Sequence, residues 1–222
     1  MKTFKLTAIT ATLLAVTGFS SVATAAVDAN FGATSNYVWR GVSQSSNAAS
    51  VSGGLDYSDD SGFYVGTWVG SLGDDVSGFN GAETDFYLGY GGESDGFGYD
   101  VGYIYYSYTE LVDSDFGELY FNGSYGAFGF GVAYTVNSQV DEGSLFDAGD
   151  IYANVSYGFD LANDYSLGLT LGYYDFDAGS DGDYAHFQAD IAKGDFTFSV
   201  SKAESASGDD DIKFIASWGT SF

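Results

Sequence analysis

From Val27 onward the chain alternates apolar and polar residues almost without a break, and turn-forming residues punctuate the alternation at regular intervals. A period of two puts successive side chains on opposite faces of a strand. Val27, Ala29, Phe31, Ala33, Tyr37 and Trp39 alternate with Asp28, Asn30, Thr34, Asn36 and Arg40, and Ala49, Val51, Leu55 and Tyr57 alternate with Ser50, Ser52 and Asp56. Further segments centre on Val65, Leu88, Tyr103, Phe121, Val132, Val155, Leu169, Ala189, Phe198 and Ala216. The count is twelve strands. A chain that is nearly all ladder also has no use for proline, which cannot donate to one, and the sequence contains none.

The connections sort by length. Residues 43–48, 71–82, 109–116, 138–149, 176–183 and 205–210 form long polar connections, whereas 58–61, 92–96, 126–127, 160–164 and 193–194 form short ones. Long loops on one side and tight turns on the other are the pattern of an outer-membrane barrel. The expected fold is therefore all-β: an antiparallel transmembrane β-barrel of twelve strands, with short periplasmic turns and longer acidic extracellular loops. A soluble sandwich has no reason to sort its loops in this way.

Aromatic residues give an independent signal. Tyr57, Tyr90, Tyr125, Phe159 and Phe222 end strands at the short-turn edge, and Phe63, Tyr99, Phe128, Tyr165 and Phe196 begin strands there. Rings at headgroup level form such a membrane girdle. A sparser girdle at the other edge includes Tyr37, Trp39, Phe86, Tyr105, Tyr134 and Tyr173. The last segment alternates Ile212, Phe214, Ala216, Trp218, Thr220 and Phe222 with Lys213, Ser217 and Ser221. With its terminal aromatic it is expected to serve, through Trp218 and Phe222, as the signal read by the outer-membrane barrel assembly machinery.

Residues 1–25 read as a signal peptide and 26–222 as the barrel domain. Lys2 and Lys5 precede an apolar stretch from Leu6 to about Phe19, and Ala23, Thr24 and Ala25 supply an A-x-A cleavage site. The stretch falls short of the roughly 20 residues that span a bilayer. Without cysteine there is neither a lipid anchor nor a disulfide. The chain carries 31 Asp and Glu against 6 Lys and Arg, a formal net charge of −25. Cleavage removes two lysines and no acid, taking the charge to −27. Such a surface repels phosphate backbones and argues against a nucleic-acid partner.

The expected location is the outer membrane of a Gram-negative cell, with lipid outside the barrel and small hydrophilic or cationic solutes inside. The set opposite the apolar face is mostly small or hydroxylated, with carboxylates at Asp56, Asp85, Asp100, Glu118 and Asp190 opposed only by Arg40 and Lys213. Tyr106, Tyr120, Tyr152, Tyr174 and Tyr184 point the same way, while in the third strand Tyr64 and Trp68 compete with Phe63, Val65 and Val69 for the outer face. Twelve strands about 4.8 Å apart and tilted ~40° give a backbone radius of roughly 12 Å. After inward side chains a lumen roughly 12–14 Å across would remain, unless loops fold in or tyrosines narrow it. Lined by carboxylates, that lumen is expected to prefer cations in passive ion transport. A non-conducting structural or partner-binding barrel is the alternative.

No catalytic residue, cofactor or specific metal site is expected. The single histidine, His186, lies on the inward set, and no hydrolase, zincin or P-loop motif accompanies it. The acidic run from Asp177 to Asp183 lacks the spacing and closing Glu of an EF-hand. Together with Asp74, Asp75, Asp141, Glu142 and their neighbours it would hold divalent cations only diffusely.

The opening segments read NFGATSNYVWRGVSQS and ASVSGGLDYSDDSGFYVGTWVGS, and YDVGYIYYSY and ELYFNGSYGAFGFGVAYT follow. This sequence resembles the TorF-type porins, an exported proteobacterial family also described as of unknown function. The resemblance covers most of the chain beyond residue 25 and implies an outer-membrane barrel and a porin. It also makes Tyr37, Val38, Trp39, Arg40, Gly41 and Ser43 a shared signature near the outer rim. Arg40, the only arginine, then reads as a rim ion pair with an acidic neighbour, or alternatively as a constriction or solute-orienting residue.

Overall fold

The computed structural model describes residues 26–74, 78–177, 179 and 181–222. The expected signal peptide and Asp75 lie outside the described residues. Twelve strands close into one antiparallel barrel: β1 (Ala26–Thr34), β4 (Ser50–Ser58), β5 (Phe63–Asp74), β6 (Gly78–Ser94), β7 (Phe97–Tyr108), β8 (Phe116–Tyr125), β9 (Phe128–Ser138), β10 (Ile151–Asp160), β11 (Ser166–Asp175), β12 (Tyr184–Lys193), β13 (Phe196–Ala203) and β14 (Lys213–Ser221). Two short strands, β2 (Val38–Trp39) and β3 (Val42–Ser43), form a separate hairpin between β1 and β4.

Each barrel strand pairs with its neighbours in sequence, and β14 closes on β1, with Ala33 opposite Trp218 and Phe31 opposite Thr220. Beyond that ladder, Phe222 and Ala29 exchange two backbone hydrogen bonds, at 2.9 and 3.1 Å. Closure leaves no unpaired sheet edge, which makes the barrel a stable unit without a second layer.

Turn chemistry explains the short end. Between β6 and β7 only Asp95 and Gly96 intervene, with φ of 52° and 80°, the left-handed pair that a two-residue hairpin of native twist requires. In the β4–β5 turn the Asp59 carboxylate accepts from the backbone N–H of Ser61 at 2.8 Å.

Strand faces follow the alternation. Along the outside run exposed Leu55, Val65, Leu88, Val101, Phe121, Val132, Val155, Leu171, Phe187, Phe198 and Phe214. Tyr57, Tyr90, Tyr125, Phe128, Phe159, Tyr165 and Phe196, expected as a girdle, are exposed on the same face at the short-turn end, and Tyr99, half-buried, stacks on Tyr90. A continuous apolar exterior of this extent is foreign to a water-soluble monomer. The third strand resolves with Phe63, Val65 and Val69 outward and Tyr64 and Trp68 inward.

Three expectations need correction. The first strand stops at Thr34 rather than running on through Arg40, so the first long connection spans 35–49 rather than 43–48. Tyr37 and Trp39 are not rim aromatics: both are buried inside, on the hairpin. Most of 71–82 is strand, with β5 reaching Asp74 and β6 starting at Gly78 across a register shift between Ser71 and Gly73. In the first two cases the period-two pattern continues through the segment while the chain changes direction; in the third, glycine and aspartate read as loop residues although the ladder runs on through them.

Candidate functional site

The barrel interior collects nearly all the polar and charged side chains that the strands bury, and it divides along the axis. At the long-loop end, the connection after β1 folds inward instead of outward. Its hairpin turns at Arg40 and Gly41, both at positive φ (48° and 86°). Gly41 is required twice over, since its backbone is left-handed and a Cβ there would stand 2.6 Å from the Cβ of His186 on β12. The ends of the excursion are pinned by polar contacts. The Ser45 hydroxyl accepts from the Tyr37 N–H at 2.8 Å, the Asn36 amide donates to Asn47 at 2.8 Å, and Asp209 from the last long loop accepts from the Ser43 N–H at 2.8 Å.

Arg40 at the tip reaches across the interior to β8. Its two terminal nitrogens donate to the two Glu118 oxygens, each at 2.7 Å, and both residues are buried. The guanidinium carbon lies 4.1 Å from the Trp39 ring centroid, 4.2 Å from that of Tyr152 and 4.9 Å from that of Tyr174. This bidentate, ring-enclosed geometry suits arginine and no other side chain. The expected ion pair exists, but in the interior rather than at the rim.

Around the tip, rings fill the bore. Trp39 packs edge-on to Tyr106 and Tyr174, and against Phe116 and Phe146. Phe176 and Tyr184 extend the cluster. Beside and below the tip, further inward rings lie over glycines across the ladder: Tyr87 over Gly66, Tyr64 over Gly89, Tyr120 over Gly102 and His186 over Gly172. An expected bore of 12–14 Å is thus filled on this side by the hairpin and the aromatic side chains it meets.

Acidic groups line the same space. Glu83 accepts from the Tyr37 hydroxyl at 2.6 Å, Tyr106 donates to Glu118 at 3.2 Å, and the buried Asp85 keeps Oδ1 without a hydrogen-bond partner among the described residues. Glu83 was not among the residues expected from sequence, although it stands two positions from Asp85 and so shares its face. Below this layer, Tyr87 donates to Asp56 at 2.5 Å, Tyr64 donates to Asp100 at 2.6 Å and contacts the Tyr120 hydroxyl, and Gln188 donates to Asp190 at 3.0 Å. His186 is buried, with Nε2 2.9 Å from the Tyr152 hydroxyl. Lys213 is inward and buried, held by Asp209 at 2.9 Å rather than standing free in the bore.

Toward the short-turn end the interior changes character. The inward residues are Asn30, Asn122, Ser124, Asn154, Ser156, Thr170 and Thr197, all half-buried or exposed, and Asp28 is exposed among them. Asn122 and Asn30 donate to Asp100 and Asp56, at 3.3 and 3.2 Å. All the inward residues expected from sequence, Arg40, Asp56, Asp85, Asp100, Glu118, Asp190, Lys213, Tyr106, Tyr120 and Tyr152, do face this interior. No cluster of three or more His, Cys, Asp or Glu side chains suited to a metal ion occurs among the described residues.

The fold is similar to that of a solved porin. The chain superposes on the KdgM porin with a TM-score of 0.52 at 10% identity, covering 88% of this chain and 97% of that one. A second structure, KdgM porin in complex with disordered oligogalacturonate, gives 0.50 at 10% identity and the same coverage. No curated protein sequence matches. A family model, described as bacterial protein of unknown function (Gcw_chp), matches residues 19–213, so the chain belongs to the Gcw_chp family.

Proposed function

We propose that this protein is an integral outer-membrane channel of porin type, for passive passage of small hydrophilic solutes with a preference for cations, and that the inward hairpin narrows its outer mouth. The observation that carries the reading is the inversion of polarity: apolar residues cover the outside of a closed barrel while carboxylates, amides and hydroxyls line its inside. Lipid outside and water inside is the environment that stabilises this arrangement. The resemblance of the opening segments to TorF-type porins supports the same assignment. In this reading Tyr57, Tyr90, Tyr99, Tyr125, Phe128, Phe159, Tyr165 and Phe196 form the periplasmic girdle, Trp218 and Phe222 belong to the assembly signal, and the acidic loops face outward.

The charge of the interior supports cation preference. Glu118 is neutralised by Arg40 and Lys213 is occupied by Asp209, which leaves Asp28, Asp56, Glu83, Asp85, Asp100 and Asp190 facing the bore without a cationic partner among the described residues. In a low-dielectric tube these groups attract cations and repel anions. An oligogalacturonate, the polyanion bound in one KdgM structure, is an unsuitable passenger here. A non-conducting barrel is the second reading, favoured by the tight packing of the loop-side half. Reversal potentials of the refolded protein in planar bilayers under a KCl gradient test both. Cation-selective current supports the channel, anion selectivity overturns the charge argument, and no current in any condition, including after hairpin removal, supports the non-conducting barrel.

A further inference from the structure

Arg40 occupies a position built as a receptor for a guanidinium group, and most of that receptor belongs to the barrel wall rather than to the hairpin. Glu118 comes from β8, Tyr152 from β10 and Tyr174 from β11; only Trp39 travels with the arginine. The wall offers two carboxylate oxygens at 2.7 Å and two ring faces within 5 Å, held in place by their own contacts. Tyr106 donates to Glu118 from one side, and His186 fixes the Tyr152 hydroxyl from another. Asp85, paired across the ladder with Tyr106, leaves Oδ1 buried and without a partner among the described residues. A buried carboxylate oxygen in that condition calls for a donor. Arg40 meanwhile reaches the site from a left-handed backbone, at φ 48°, a conformation that a non-glycine residue adopts only at a cost. The wall residues Glu118, Tyr152 and Tyr174, by contrast, lie on paired strands and none of them has a left-handed backbone.

We propose that the Glu118–Tyr152–Tyr174 wall site binds small alkylguanidinium solutes, and that Arg40 is a tethered occupant which such a solute replaces. This deepens the channel reading and rests on it for the solute's route, since the wall site is reached through the bore. Binding itself needs no current. Guanidinium is favoured over a simple ammonium because the fork matches both Glu118 oxygens while its plane lies against the rings.

Isothermal titration of detergent-refolded Arg40→Ala protein with methylguanidinium provides the test, with methylammonium as the competitor of equal charge. Saturable binding is expected, stronger for methylguanidinium than for methylammonium. Adding Glu118→Gln should weaken it by about tenfold or more, the loss typical of a hydrogen bond to a charged group. The wild-type protein, with Arg40 competing, should bind more weakly than the Arg40→Ala variant. Absence of saturable binding to the folded variant overturns the proposal, as does an affinity that Glu118→Gln leaves unchanged or a preference for methylammonium. Should Arg40→Ala fail to acquire heat-modifiable gel mobility, refolding in methylguanidinium must restore it where methylammonium does not, and failure of that rescue is equally fatal. Silence in planar bilayers would break the channel reading while leaving the titration standing.

Discussion

The two ends of the barrel interior share the same twelve strands and obey opposite rules. Toward the long loops the bore is packed like a protein core, with Tyr37, Trp39, Tyr106, Phe116, Tyr152, Tyr174 and Phe176 buried around the Arg40–Glu118 ion pair. Toward the short turns the same strands present Asn, Ser and Thr side chains that keep contact with solvent. Strand number therefore sets the space available but not whether it is open. What decides that is a 15-residue connection, 35–49, which enters the barrel at one end and carries its own aromatic residues and counter-charge with it.

Breaking the packed half should have the largest effect. Glu118→Gln leaves the Arg40 guanidinium buried without its countercharge, a loss of about 3–5 kcal/mol for a pair of this kind. The hairpin can escape that cost by leaving the bore, so Trp39 should become accessible to acrylamide quenching; unchanged quenching would show that the rings alone hold it. Next in size is the outer face. Val155→Arg, in the middle of the exposed belt of β10, should lower stability by about 2–4 kcal/mol in urea-dependent refolding into lipid vesicles. A neutral result there would argue against a lipid-facing surface. Gly41→Ala adds a side chain at φ 86°, 2.6 Å from the His186 Cβ, and should weaken docking of the hairpin by about 1–2 kcal/mol in the same quenching assay. The smallest effect belongs to the open half. Ser156→Arg, one residue from Val155 but inward and half-buried, should change stability by less than about 0.5 kcal/mol. The same substitution at adjacent positions thus reads out the two faces of one strand.

Much of this organisation was legible in the sequence. Period-two alternation and the sorting of connections by length carry the strand count, the faces and the inward carboxylates Asp56, Asp85, Asp100, Glu118 and Asp190. The hairpin was not legible, because Tyr37, Trp39 and Arg40 continue the alternation of the preceding strand. A hairpin packed inside a barrel has the same period as a strand of its wall. One local sign was present at Arg40–Gly41, where the turn uses arginine in place of the asparagine or aspartate that usually fills a left-handed position. Ile104, Phe116 and Ile215 also face inward, against the rule that the lumen is polar, and they do so chiefly where the bore is packed dry. Polarity alone could not have assigned them, since their surroundings exist only once the hairpin is docked.

If residues 35–49 close the loop-side half of an otherwise continuous bore, shortening them must open it. Single-channel conductance in planar bilayers tests it most directly, comparing the wild-type barrel with one in which residues 37–44 are replaced by a short Gly-Ser link. The shortened protein, still heat-modifiable on gels, should conduct severalfold more than wild type and remain cation-selective. Equal conductance in the two proteins would show that the hairpin closes nothing.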